Sequence, residues 1–411
     1  MWYVMQGALR GERPRDIARR GTIVATISFL TLIDLFGSQA LLPQLVTAYE
    51  VDAATMGLAV NASTFGMAVS GLLVGWFADR IDRKRWIWRC LVLLSIPTFL
   101  LGVVDSIPVF MALRVMQGVF MAAAFTFTLT YLSEQCDVTA AGGAMAAYIT
   151  GNVASNLFGR LMAVSAADVF GLSGSFFAFA ALNILGALLA LTLIGLKDEA
   201  PPARSGAPLV AWRRHLADPA LRTAFLIGFT ILFVFVGVFT YVNLHLVDVL
   251  GVPASALGLV YFVFAPAILT TPFAGKAVSR FGPRRVFLAS GVVALSGLAV
   301  TLWPSLSLVL IGLAVVGAGT FFMQAAATGY VSRTAKGDRA AANGLYLTSY
   351  YLGGLVGAFA LGVAQSQGGW PFVAGIVAIG LVGALLMAGG LRNPGPEVLP
   401  LRLSSASQDA E

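Results

Sequence analysis

The chain has 411 residues, 58% of them hydrophobic and only 11% charged, with 45 glycines, two histidines and a formal net charge of +7. Soluble globular domains carry about a quarter of their residues as charges, so this composition excludes a water-facing surface of ordinary size. His215 and His245 are too few to build the nucleophile–base or metal cluster of a membrane-embedded enzyme, and no enzymatic activity, metal or cofactor is expected.

The opening segment 1–21 holds Arg10, Arg13, Arg15, Arg19 and Arg20 and lacks the apolar core of a signal peptide. Twelve apolar stretches follow, each close to the roughly 20 residues that cross a bilayer. The first, 22–43, carries Asp34 and Gln39, and the second, 56–78, runs into the charged stretch GWFADRIDRKR at 75–85. The third is 86–104; the fourth, 108–132, carries Arg114, Gln117 and Phe125; the fifth, 140–165, carries Asn152, Asn156 and Arg160; the sixth is 172–196. After a linker at 197–222, the seventh, 223–247, brings Phe229, Phe233, Tyr241, Asn243 and His245, and the eighth, 254–278, runs into GKAVSRFGPRR at 275–285. The ninth is 286–303; the tenth, 306–331, carries Phe321, Met323 and Gln324; the last two are 340–364 and 370–391, with a tail at 392–411. Most are rich in Gly and Ala, as suits helices packed closely in lipid. The expected fold is an all-α membrane protein of twelve transmembrane helices.

The positive charge is a topology signal and no mark of nucleic acid. With the N-terminus inside, the six outer connections near 44–55, 105–107, 166–171, 248–253, 304–305 and 365–369 contain no Lys or Arg. Of the 26 Lys and Arg, 24 fall in inner segments or at inner helix ends; Arg114 and Arg160 lie inside spans. This is the positive-inside asymmetry, and it puts both termini in the cytoplasm of a cell membrane, the inner membrane of a bacterium. Cys90 and Cys136 both fall near inner ends, so no disulfide framework is indicated.

The chain also repeats itself. Gly75 and Arg80 are matched 200 residues later by Gly275 and Arg280; Tyr148, Thr150 and Gly159 are matched 198 residues later by Tyr346, Thr348 and Gly357. A six-helix unit at 22–196 is thus duplicated at 223–391, giving two pseudo-symmetric six-helix bundles. Six plus six spans and a repeated glycine–basic loop resemble the major facilitator superfamily over essentially the whole chain. That family's loop has Gly, three residues, Asp, a basic residue, one residue, Gly and further basic residues. Gly75, Asp79, Arg80, Arg83 and Lys84 match it, with Asp82 at the second Gly position; the second copy keeps that glycine as Gly282 but has Ser279 for the acid, alongside Arg280 and Arg284. The resemblance implies two bundles rocking about a central site, with these loop residues as gating pairs at the inner face.

Asp34, Arg114 and Arg160 are the ionisable residues inside spans. Each costs at least about 2.5–3.5 kcal/mol on insertion scales, so it is expected to face the bundle interior and mark a pathway. Their repeat counterparts are Val234, Leu313 and Ala358, so the three charges serve something the first half alone performs. Depth along the helices allows Asp34 and Arg114 to pair. ALRVMQG, with Arg114, Gln117 and Gly118, resembles the span-4 pattern of proton-driven exporters, and GNVASNLFGR resembles the arabinose-efflux-like branch, though it lacks the span-5 proline of drug:proton antiporters. An aspartate that gains and loses a cation as the bundles rock can take up and release a proton. Spans 1, 4, 7 and 10 line the pore by resemblance, which makes Gln39, Gln117, Phe125, Phe229, Phe233, Tyr241, Asn243, Phe321, Met323 and Gln324 cavity candidates, with Asn152 in span 5. Asn152 and Asn156 lie four apart on one helix face, where bonding across the bundle interface is an alternative to touching the solute. The function expected is proton-coupled export of a small organic solute, a drug, sugar or metabolite, by a monomer in the bilayer. The alternatives are a proton-coupled uptake symporter and a solute sensor on the same fold.

Overall fold

A computed structural model describes residues 14–77, 82–135, 138–194, 208–253, 256–335 and 339–391, and every regular element among them is helical. Nine of these helices are long and apolar enough to cross a membrane. Two of the nine are double, Val138–Ile194 turning at Gly171 and Arg339–Ala388 at Gly369. Arg83–Leu101, too basic at its start to meet the same hydropathy criterion, completes the twelve. In chain order the spans are α1 Pro14–Ala40, α2 Ala53–Phe77, α3 Arg83–Leu101, α4 Ile107–Gln135, α5 138–170, α6 172–194, α7 Pro219–Leu244, α8 257–281, α9 Pro283–Val300, α10 Leu306–Thr334, α11 339–368 and α12 370–388.

Both halves use the same joints. Gly171 and Gly369 have φ of 72° and 62°, a left-handed conformation that lets α5 return as α6, and α11 as α12, with a single turning residue. A Cβ at Gly171 would meet nothing within 4 Å, so only backbone strain opposes a side chain there. Gly171→Ala is therefore expected to destabilise the protein by about 1–2 kcal/mol, read as a lowered thermal midpoint with an unchanged elution profile. The crossings repeat too: Gly159 of α5 lies on the carbonyl of Ile33 in α1, and Gly357 of α11 on that of Phe233 in α7, where a Cβ would approach to 2.9 and 2.7 Å. Both pairs keep the offset of the sequence repeat.

The halves meet chiefly through α2 against α11 and α5 against α8. Exchanging the two halves turns the first contact into the second, as a pseudo-two-fold requires. Thr348 of α11 bonds the carbonyl of Ala68 in α2 at 3.2 Å.

The repeated loop is built in two ways. At the start of α9, Gly282 adopts φ 81° between Phe281 and Pro283. At the start of α3, Asp82 has φ −68°, accepts from the Arg85 amide at 3.3 Å as an N-cap and pairs with the Arg85 guanidinium at 3.1 Å. The missing glycine in the first copy thus corresponds to a capped helix start that needs no left-handed residue. Trp212, on the short helix Pro208–Ala217, packs on Trp76 at the end of α2 (5.9 Å), and Lys84 lies 5.8 Å over the Tyr131 ring near the end of α4. At the opposite ends of the spans, Tyr49 bonds the carbonyl of Val104 at 2.5 Å and Trp370 stacks on His245 at 5.9 Å.

Helix α8 is segmented. Leu257–Val260 leads into a tight 3-10 turn at Tyr261–Phe264, then Ala265–Thr270, a second such turn at Thr271–Phe273, and Ala274–Phe281. Pro266 and Pro272 each remove a backbone donor and crowd the preceding turn. A 3-10 turn eclipses residues three apart, so the rings of Tyr261 and Phe264 lie parallel, 6.2 Å apart and 5° from coplanar, on one face.

Candidate functional site

Two polar clusters sit on different faces of α1. Asp34, 1% exposed, points into the first half among α3, α4 and α6. Its Oδ2 accepts from Asn183 Nδ2 at 2.8 Å, Thr98 Oγ1 at 2.9 Å and Gln117 Nε2 at 3.5 Å; its Oδ1 has no hydrogen-bond partner. Arg114 is fully buried and does not ion-pair with Asp34. Its Nη1 donates to Gln117 Oε1 at 2.6 Å, its Nε and Nη2 to the carbonyl of Val60 at 2.9 and 2.7 Å, and its Nη2 also to Ser63 Oγ at 3.1 Å. Gln117 is therefore a relay between the two charges, holding Arg114 with its oxygen and Asp34 and Thr98 with its nitrogen. The three-residue spacing of Arg114 and Gln117 makes this relay, since side chains three apart are neighbours on a helix.

The second cluster spans both halves. Arg160 of α5 is 0% exposed; its Nη2 donates to Gln39 Oε1 at 2.6 Å and its Nη1 to the carbonyl of Phe239 in α7 at 3.3 Å. Gln39 in turn donates to Asn61 of α2 at 2.8 Å, and Asn61 to the carbonyl of Gly57 at 2.8 Å. The guanidinium lies 4.4 Å over the Tyr261 ring and 5.8 Å from those of Phe36 and Phe264, and Tyr261 donates to Asn243 Oδ1 at 2.8 Å. Among the described residues no carboxylate pairs with Arg160, and its Nε has no partner. Burying a charge costs several kcal/mol even after relaxation. Neutral carbonyls and ring faces offset part of that cost, each cation–π contact contributing about 0.5–2 kcal/mol.

The remaining candidates divide. Tyr241 donates to the carbonyl of Ala358 in α11 and lies against Gly57 of α2, so it joins three spans at the contact between halves. Phe321 packs edge-on to Phe235 and Phe264 at 5.0 and 5.9 Å, next to the Arg160 cluster. Phe125 packs on Tyr148 at 4.6 Å within the first half. Phe229 and Phe233 stack on each other at 6.4 Å, with Phe233 against Gly380 of α12, and the Met323 sulfur faces Gly291 of α9; these three lie away from both clusters. Gln324 is buried. Asn156 Nδ2 donates to the backbone carbonyl of Asn152 at 3.4 Å and the Oδ1 of each asparagine is unpartnered, so among the described residues neither oxygen bonds across the interface. Among the gating candidates, Asp79 and Arg80 lie outside the described residues. Gly75 falls in the last turn of α2, Arg83 and Lys84 open α3, Gly275 and the exposed Arg280 belong to the last segment of α8, and exposed Arg284 begins α9.

Several partners in the two clusters lie outside spans 1, 4, 7 and 10. Thr98, Asn183, Asn61 and Tyr261 come from α3, α6, α2 and α8. For Tyr261 a signal was present, because Pro266 just downstream interrupts an apolar span, and broken helices in transporters mark binding sites.

The family model of the Major Facilitator Superfamily matches residues 24–268 and 250–407. The chain is 28% identical over 387 residues to the "Inner membrane transport protein YnfM" of Escherichia coli, covering 92% of this chain and 93% of the relative. It is 27% identical over 376 residues to the "Uncharacterized MFS-type transporter YybF" of Bacillus subtilis (88% and 91%), and 26% over 250 residues to the multidrug resistance protein MdtG of Serratia proteamaculans (59% and 60%). Among solved structures it superposes on the transporter FucP in its outward conformation with a TM-score of 0.70 at 16% identity, covering 91% of this chain and 98% of FucP. Twelve spans in two repeated halves, that fold and a family match running through both halves have one meaning: the chain belongs to the Major Facilitator Superfamily, as a multi-pass membrane transporter and not an enzyme.

Proposed function

We propose that the protein is a secondary active transporter that exports a small organic solute in exchange for protons by alternating access. The observation that carries this reading is Asp34: a buried carboxylate with three donors on Oδ2, none on Oδ1 and its cation one residue away through Gln117. A proton on Oδ1 removes the charge without disturbing any of those donors. Loss of that proton leaves a charge that Arg114 can meet only if Gln117 moves. Asp34 and Gln39 are five residues apart on α1, so protonation on one face of this helix adjoins the inter-half cluster on the other, about 7.5 Å along its axis. Similarity to MdtG, a multidrug resistance protein, supports the outward direction. Both termini lie on the cytoplasmic side of the inner membrane, a reading that the Lys and Arg excess supports, and the working unit is a monomer. Asp79, Arg80, Arg83, Lys84, Arg280 and Arg284 serve as gating charges at the inner face, each exposed pair contributing about 0–1 kcal/mol.

Everted membrane vesicles energised by respiration test the direction and the coupling. With an acridine dye reporting the acidic lumen, at least one of a panel of organic solutes is expected to reverse the quench in vesicles carrying the protein and not in control vesicles. Solute movement without any proton release would overturn exchange, and release seen only with solute loaded inside the lumen would favour uptake symport.

A further inference from the structure

We propose that the solute is an organic carboxylate with an apolar or aromatic body, and that Arg160 is the group that recognises its carboxylate. This deepens the transport reading and rests on it. Arg160 is a fully buried cation with no acid beside it among the described residues, and its Nε is an unpartnered donor. Its hydrogen bonds go to the amide oxygen of Gln39 at 2.6 Å and, more weakly, to the carbonyl of Phe239 at 3.3 Å, and the Tyr261 hydroxyl also interacts with the guanidinium. A guanidinium presents a planar fork that matches a carboxylate through two parallel hydrogen bonds. The Nε and the Nη that now holds the long Phe239 bond are donors a carboxylate can take without displacing Gln39.

Placement distinguishes this arginine from Arg114, whose guanidinium is satisfied within the first half by Val60, Ser63 and Gln117. Arg160 stands where α5 meets α7 and α8 of the other half, so a ligand bound to it contacts both rocking units. The ring faces of Tyr261 and Phe264 beside it, continuous with Phe239 at 4.6 Å from Phe264, supply an apolar wall for the rest of the molecule. In the repeat the counterpart of Arg160 is the buried Ala358, so the second half has no cation of its own at this level and the site takes one anionic group. A cationic solute would meet an uncompensated positive charge there.

Three probes of one shape and different charge test the proposal on the full-length protein in nanodiscs: 4-phenylbutyrate, 4-phenylbutanamide and 4-phenylbutylamine at millimolar concentration. The anion is expected to raise the thermal midpoint by about 1–3 °C, with no rise from the amide or the amine. In Arg160→Gln the response to the anion is expected to vanish, and in Arg160→Lys, which keeps the charge and loses the fork, to fall by at least half. Should the variants not fold, the wild-type protein suffices: 4-phenylbutyrate is expected to slow phenylglyoxal modification of Arg160, followed by mass spectrometry, at least threefold, and the amine not at all. Equal or greater stabilisation by the amine, an anion response that survives in Arg160→Gln, or no response to 4-phenylbutyrate in either assay would overturn it. Binding at equilibrium needs no proton gradient, so a negative result here leaves proton exchange standing, and uncoupling at Asp34 leaves anion recognition standing.

Discussion

Asp34→Asn is expected to abolish gradient-driven transport while leaving solute exchange intact. One proton moving through 100 mV supplies about 2.3 kcal/mol, enough to hold roughly a 50-fold solute gradient at about 1.4 kcal/mol per tenfold. Without a titrating group at this position that gradient collapses to near unity, whereas counterflow in proteoliposomes, which needs only binding and the rocking of the halves, persists. Asparagine has the shape of the neutral carboxyl and still offers one oxygen to Thr98 and Asn183, which now share Oδ2, so the folded protein is retained. The same preparation measured with and without an imposed pH gradient decides the matter. Wild-type accumulation in the variant would remove Asp34 from the coupling step.

Gly118→Ala should be the most damaging small substitution in the first half. Helices α2 and α4 cross here backbone to backbone: a Cβ on Gly118 collides with the carbonyl of Ser63, and one on Gly66 collides with that of Val115. Neither obstacle is a side chain that can turn aside. Overpacking costs about 1–3 kcal/mol when side chains can adjust, and a helix pair forced apart falls at or above the top of that range. A loss of about 3 kcal/mol corresponds to a fall of roughly 3–4 °C in thermal midpoint for a chain of this size. Transport should fall with it, because Arg114 bonds the carbonyl of Val60 across the same crossing. A midpoint unchanged from wild type would show that α2 and α4 do not approach this closely.

The two substitutions probe different kinds of information. Asp34 and Arg160 stood out in sequence because an ionisable residue inside an apolar stretch is conspicuous wherever it points. Gly118 was visible only as part of ALRVMQG, and nothing along the chain says that its missing side chain makes room for Ser63. The same contrast separates Gln117 from Thr98 and Asn183: the first sits three residues from an arginine, while the others are ordinary polar residues in spans with no charge nearby.

Sequence by itself determined the twelve spans, their grouping into two repeated halves and the three charges confined to the first half. Hydropathy, length and periodic self-similarity are properties of the residues in order, and lipid makes them decisive, since a lone apolar segment satisfies its own backbone there only as a helix. The tertiary structure alone decided that Asp34 meets Arg114 through Gln117 rather than directly, and that Arg160 faces Gln39, Phe239 and Tyr261 with no acid among the described residues. Which side chains meet depends on the rotation of each helix about its axis and on which helices touch. Close glycine crossings and the broken turns of α8 set both, and these act between segments more than a hundred residues apart.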